Sequence, residues 1–257
     1  MQFKIAKILD QGTDNPIVNR IFLQFSYLAK GGFFWREEDK QKQFSDLLFN
    51  LMTSLLKVEN AYKEYLKIEE KSIQNINSVN GVKYQKNGFA YDDPTLVLQE
   101  RFEEFLIKAV VSIRKFTNIC TYVLDKRFSS HKSFHKFFLT NLKEGSKFHS
   151  WFENGGQIVK EIYDLRALVE HEDLKVDKFD VKIKGDKILI IQPKIFKIDH
   201  TLKDYMDESN KFLFTYFETV IAQLLSIIYR GPGKIVELEE NQMKSDNFRY
   251  IIDFNLN

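Results

Sequence analysis

Asp164-Leu165-Arg166-Ala167-Leu168-Val169-Glu170-His171 is the stretch from which the rest of this chain is read. It closes a longer run, Trp151 to Asp173, in which apolar residues recur at 158, 162, 165 and 169. That i, i+4, i+7, i+11 spacing predicts a helix with one face against a core. Gly155-Gly156 lies in its first half, and each glycine costs about 1 kcal/mol relative to alanine inside a helix, so a kink or a later start near residue 157 is expected. After His171 the period changes to alternation. Phe179, Val181 and Ile183, then Gly185-Asp186, then Ile188 to Ile191 predict a β-hairpin with suitable turn residues.

Outward from this stretch the pattern is mostly helical. Residues 2 to 9 alternate weakly, as a short edge strand would. Asn15-Pro16 starts a helix, with Asn as N-cap and Pro at the first helical position, and Gly31-Gly32 ends it. Glu38 to about Gln74 holds neither Gly nor Pro, while Phe44, Leu47, Leu48, Leu51, Leu55, Tyr62, Tyr65 and Leu66 recur at helical spacing. Residues 76 to 92, with Asn80-Gly81 and Asn87-Gly88, read as an exposed loop or small excursion. Asp93-Pro94 opens a second long helix with Leu98, Phe102, Phe105, Ala109, Ile113, Phe116, Cys120 and Leu124 on one face. Ser129 or Ser130 caps a shorter helix that Glu144-Gly145 stops. Thr201 and Asp204 form a capping box for a last long helix, to about Arg230. Gly231-Pro232-Gly233 ends it, and Ile235 to Leu238 with Phe248 to Phe254 predicts a terminal hairpin.

The expected fold is mainly α: one domain over residues 1 to 257, an antiparallel helical bundle with core about 38 to 230. A β-hairpin insertion is expected at about 178 to 198 and a C-terminal hairpin at about 234 to 254. Composition agrees with a packed globule, since 44% of the 257 residues are apolar and 14% aromatic. With 38 basic and 36 acidic residues the net charge is only +2, so a polyanionic partner would have to be met by a local patch. The lone cysteine, Cys120, can form no internal disulfide, and the N-terminus lacks the apolar run of a signal peptide. A cytoplasmic protein is expected. Phe212 to Tyr229, interrupted by Glu218 and Gln223, reads as a buried amphipathic helix, and no membrane partner is expected.

Arg166 and His171 are the candidate chemistry. An imidazole exchanges protons near neutral pH, and a guanidinium stabilises charge on a phosphate. Tyr163 and Glu170 are auxiliary candidates. Five helical residues turn through roughly 500°, which leaves the Arg166 and His171 side chains about 140° apart on a regular helix. They converge only if the helix opens before His171, or if two copies meet across a two-fold axis. A structural reading stands beside this: Arg166 and Glu170 have i, i+4 ion-pair spacing, His171 complements a helix C-terminus, and Tyr163 and Glu170 are ordinary helix surface. His131 and His135 are also i, i+4, but position 132 is Lys where a zincin helix has Glu, so two histidines at a helix start is the better reading. Glu237-Leu238-Glu239-Glu240 reads as solvated loop, and Trp35 with Arg36, Lys40 and Lys42 as packing at a helix start. No cofactor or metal is expected.

Arg166-Ala167-Leu168-Val169-Glu170-His171 resembles the R-x4-6-H motif of the HEPN superfamily, which lies near the C-terminal end of a bundle helix. Long helices come before it and another follows a short insertion, so roughly residues 38 to 230 fit that plan. Ala167 stands where catalytic members often carry a polar residue. The resemblance implies a homodimer that binds RNA and cleaves it without metal, in the manner of toxin–antitoxin or phage-defence ribonucleases, with an antitoxin or other protein as a further partner. Arg166 would then be the phosphate clamp, His171 the acid/base, and the adjacent 2'-hydroxyl the nucleophile, which leaves a cyclic phosphate. The competing class is a non-catalytic interaction or dimerisation module in which Arg166 and His171 are structural.

Overall fold

The computed structural model describes residues 13, 15–78, 81–86, 88–171, 173–184, 187–195, 198, 200–238 and 249–253. The strand expected at 2 to 9, the turn Gly185-Asp186, the acidic pair Glu239-Glu240, and Phe248 and Phe254 of the terminal hairpin lie outside these residues. The described chain is mainly helical, with small antiparallel hairpins. In order it forms α1 (Pro16–Lys30), α2 (Glu38–Asn77), β1 (Lys83–Gln85), β2 (Gly88–Ala90), α3 (Thr95–Leu124) and α4 (His131–Asn141). Then follow α5 (Lys147–Glu170), β3 (Asp180–Lys184), β4 (Lys187–Ile191), α6 (Leu202–Ile228), β5 (Lys234–Glu237) and β6 (Tyr250–Asp253).

Local chemistry sets most helix starts. The Asn15 side chain accepts from the Ile17 N–H at 3.0 Å with Pro16 behind it, and Asp93 accepts from the Thr95 N–H at 2.9 Å. Thr201 caps α6: the Asp204 N–H donates to Thr201 Oγ1 at 3.1 Å, and that hydroxyl donates to the Asp204 carboxylate at 2.7 Å, in place of the backbone N–H that a full capping box would engage. Ser146 caps α5 by accepting from the His149 N–H at 3.1 Å. Each satisfies an N–H that the first helical turn leaves without a partner.

The contacts fall into two compact units. The first comprises residues 1–56, 115–130 and 214–257. Its core is aromatic: Phe25, Phe44, Phe116, Tyr216 and Phe217 are fully buried, and Phe116 stacks on Phe217 at 4.5 Å and 15°. Inside it, Glu218 of α6 accepts a two-pronged bond from Arg20 of α1 at 2.6 and 2.9 Å. Gln24 of α1 takes both the Arg249 and Tyr250 N–H groups at 2.6 and 2.8 Å, which ties β6 to α1. Trp35 packs on Phe44 and Tyr122 rather than facing solvent, as expected for packing at a helix start.

The second unit comprises residues 57–114 and 131–213. Tyr65, Phe102, Phe105, Phe134, Phe152 and Phe179 are its largest fully buried side chains. The β3–β4 hairpin is anchored beside the start of α3, where the Phe179 N–H donates to Thr95 Oγ1 at 2.9 Å and Tyr91 donates to the Phe179 carbonyl at 2.7 Å. Within the stretch read from sequence as an exposed loop or small excursion, Lys83–Gln85 and Gly88–Ala90 pair as the β1–β2 hairpin. Strands of three residues whose side chains are largely exposed leave no alternation to detect.

Two expectations for α5 are corrected. The helix does not kink or start late at Gly155-Gly156 but runs unbroken from Lys147 to Glu170. Its buried side is formed by Phe152, Gly155, Val159, Ile162 and Leu165, so Ile158 and Val169 are only half-buried. The apolar spacing at 158 and 169 reported a neighbouring strip of the helix, about one position off the face that meets the core.

Candidate functional site at the end of α5

The C-terminal end of α5 carries all four sequence candidates. Tyr163, Arg166 and Glu170 follow one another at i, i+3 and i+7, which places them on one face of the helix. Arg166 is half-buried and ion-pairs through Nη1 with the exposed Glu170. The Tyr163 ring is half-buried. Burial raises its phenol above the ordinary value, while the Arg114 guanidinium, by its charge and a hydrogen bond, and the Arg166 charge act against that rise. Arg114 enters from α3, is exposed, and takes part in no ion pair among the described residues.

His171 is exposed and caps the helix with φ −96° and ψ 7°. Its N–H donates to the Ala167 carbonyl at 3.2 Å, and the Asp173 N–H donates to the Leu168 carbonyl at 2.9 Å. These bonds keep the backbone wound up to the motif histidine. Of the two routes by which Arg166 and His171 could converge, opening of the helix before His171 is therefore not the one this chain takes. The two side chains leave the helix about 140° apart.

Two guanidinium groups flanking a phenol can hold an oxyanion. The fork geometry of arginine suits phosphate oxygens, and a charge-assisted bond is about twice as strong as a neutral one. Glu170 already occupies one side of Arg166, so an incoming phosphate would have to displace or share it. Arg114 supplies a charge with no such competitor. Sequence reading missed it because Arg114 is 52 positions before Arg166, carries no motif and has Lys115 beside it, so no local sign sets it apart.

The remaining sequence candidates divide plainly. His131 is buried and His135 stacks on Phe152 at 4.6 Å and 17°, with its Nε2 2.9 Å from the Phe152 carbonyl. Burial, helped by His135, pushes the His131 imidazole down to about 3. The two histidines are packing groups at the start of α4, and no metal-binding cluster of His, Cys, Asp or Glu occurs among the described residues. Glu237 pairs with Arg249.

Comparison of the chain with family models, with curated proteins and with solved structures found no match in any of the three.

Proposed function

We propose that this chain is a HEPN-like RNA-binding protein that cleaves RNA without a metal ion, as a cytoplasmic homodimer of toxin or phage-defence type. The observation that supports the reading is the half-buried Arg166 at the end of α5, with Tyr163 and Arg114 beside it and His171 exposed one turn on. In the reaction, a 2'-hydroxyl loses its proton to an imidazole and its oxygen attacks the adjacent phosphorus. The bond to the 5'-oxygen breaks, and that oxygen takes a proton. A 2',3'-cyclic phosphate and a 5'-hydroxyl result. Arg166 and Arg114 would stabilise the charge on the phosphoryl oxygens. Two imidazoles are needed for efficient transfer, and two copies of His171 brought together across a two-fold axis would supply them.

Incubation of the purified protein with mixed RNA in EDTA tests this. Cleavage giving cyclic-phosphate ends is expected, with His171→Ala slower by about 10²- to 10⁴-fold. Absence of cleavage by the wild type, or cleavage that survives the substitution, overturns the catalytic reading. The Arg166–Glu170 ion pair favours a second reading, a non-catalytic interaction module in which both groups serve the helix end. In that case Arg166→Ala and Glu170→Ala weaken self-association or partner binding to the same degree, and RNA is left intact.

A further inference from the structure

Helix α3 turns an apolar stripe to solvent. Leu96, Ile107 and Val111 are exposed by 75%, 45% and 40%. At roughly 100° per residue, the side chains of Leu96, Glu100, Glu103, Ile107, Val111 and Arg114 leave the helix within about 40° of the Ile107 direction. The winding of a single helix thus places them on one surface. Glu100 and Arg114 are exposed, and Glu103 is half-buried. Charges on the flank are matched within α3: Glu104 pairs with both Arg101 and Lys108.

The order of groups along the stripe selects its occupant. Glu100 and Arg114 are seven residues before and seven after Ile107. They are about 21 Å apart along the helix axis, too far to pair with each other. Neither takes part in an ion pair among the described residues. A second α3 packed antiparallel, with the two Ile107 side chains at a two-fold axis, sets each position before Ile107 against the position equally far after it. Glu100 then meets Arg114 of the partner subunit, and the same contact is made a second time by symmetry. A parallel pair would instead set Glu100 on Glu100 and Arg114 on Arg114, which like-charge repulsion opposes. Two carboxylates within the stripe also oppose entry into a bilayer and contact with a polyanion. Charge that complements itself under a two-fold axis is the property of an isologous interface.

We propose that the outer stripe of α3 is the seam through which two copies of this chain associate, antiparallel about Ile107, with Glu100 of each copy paired to Arg114 of the other. A guanidinium has five N–H donors, so this contact is compatible with the hydrogen bond between Arg114 and the Tyr163 phenol. The seam gives a surface to the homodimer of the preceding subsection and in that respect rests on it, but it requires neither RNA nor His171.

Light scattering and sedimentation of the full-length chain over micromolar concentrations test this. The wild type is expected at twice the chain mass of 30.5 kDa. Ile107→Glu, Glu100→Arg and Arg114→Glu each set a charge at the axis or like charges across it, and each alone should weaken the dimer about tenfold or more. Combining Glu100→Arg with Arg114→Glu exchanges the two charges and should restore association. Restoration requires that the two positions meet between copies, since they do not meet within one. Circular dichroism checks that each variant is folded. A monomeric wild type overturns the proposal and leaves the stripe to a different protein. A dimer that survives in folded Ile107→Glu also overturns it, as does a double variant that associates no better than the single ones. Dimers that obey the charge exchange but leave mixed RNA intact in EDTA remove the catalytic reading alone, whereas RNA cleavage by a dimer indifferent to these substitutions removes the seam alone.

Discussion

Gly156 shows why an apparently unfavourable residue is retained. A Cβ at this position would lie 2.2 Å from His135 Nε2, and further ring atoms of His135 would be at 2.4 and 2.6 Å. With no side chain there, the His135 imidazole lies against the backbone of α5 and donates to the Phe152 carbonyl, an acceptor that the helix already uses. The cost of glycine inside a helix is offset by a histidine packed flat on Phe152. From sequence the Gly155-Gly156 pair could only be read by local propensity, because the reason for it is 21 positions upstream. Its neighbour His131 makes a pH prediction. An unfolded histidine takes up its proton near 6.5, whereas in the fold it does so only at about 3. The native state therefore binds fewer protons between those values, so the stability that this residue contributes is fully present above 6.5 and is lost as pH falls toward 3. Guanidinium midpoints for wild type and His131→Gln should converge between pH about 7 and about 4, by roughly 3 kcal/mol of relative stability. A constant difference would show that His131 does not resist protonation. Glu69 acts in the opposite sense. Burial raises its carboxyl above the ordinary value, against the pull of Lys203 and Tyr65. Its protonated form is favoured in the fold, and the stability it contributes declines as pH rises past that value.

Among the elements, legibility followed the range of the interactions. The starts of α1, α3 and α6 were readable because a cap and its partner are two or three residues apart. β5 and β6 were readable from the Gly231-Pro232-Gly233 break before them and from their apolar content. What secures that last hairpin was not. Gln24 reaches it across 225 and 226 positions, while Glu218, which meets Arg249, is itself held by Arg20 across 198, and no local pattern announces such pairing. Arg249 lies between Glu237, which accepts from its Nε at 2.7 Å, and Glu218, 3.6 Å away. Glu218 is fully buried and is the shared anion for two arginines. Glu218→Gln leaves Arg20 buried beside a neutral amide, and loss of one partner of a buried pair typically costs about 3 to 5 kcal/mol. Urea denaturation measures this directly. A loss under about 1 kcal/mol would mean that water or another group compensates the guanidinium. The phase of the α5 stripe was misread for a related reason. Spacing alone identifies a helix, but which of two adjacent strips is buried depends on α4, whose Phe134 and Phe138 rings meet Phe152.

For the whole molecule, the sequence carried the class and most of the element order, and its candidate site was legible only in part. Arg166, Glu170 and Tyr163 were visible as a helix face, Arg114 was not, and the placement of His171 depended on whether the helix opened. Since α5 stays wound to Glu170, a composite site formed by two copies becomes a requirement of the catalytic proposal. Light scattering at micromolar concentration should give twice the chain mass of 30.5 kDa. A monomer under the conditions of RNA cleavage would rule out the composite arrangement. α6 is long and apolar enough to cross a membrane by length and composition, and 56% of its most apolar window is buried within the protein. The lone thiol has a use of its own. Cys120 is fully buried in the aromatic core of the first unit, near Tyr216, and burial holds it well above the ordinary thiol range, so it is inert while that core is closed. Because the chain has no other cysteine, a colorimetric thiol reagent in native buffer reports each opening of that core and nothing else. The protein thus carries its own stopwatch for breathing, readable without a label or a denaturant.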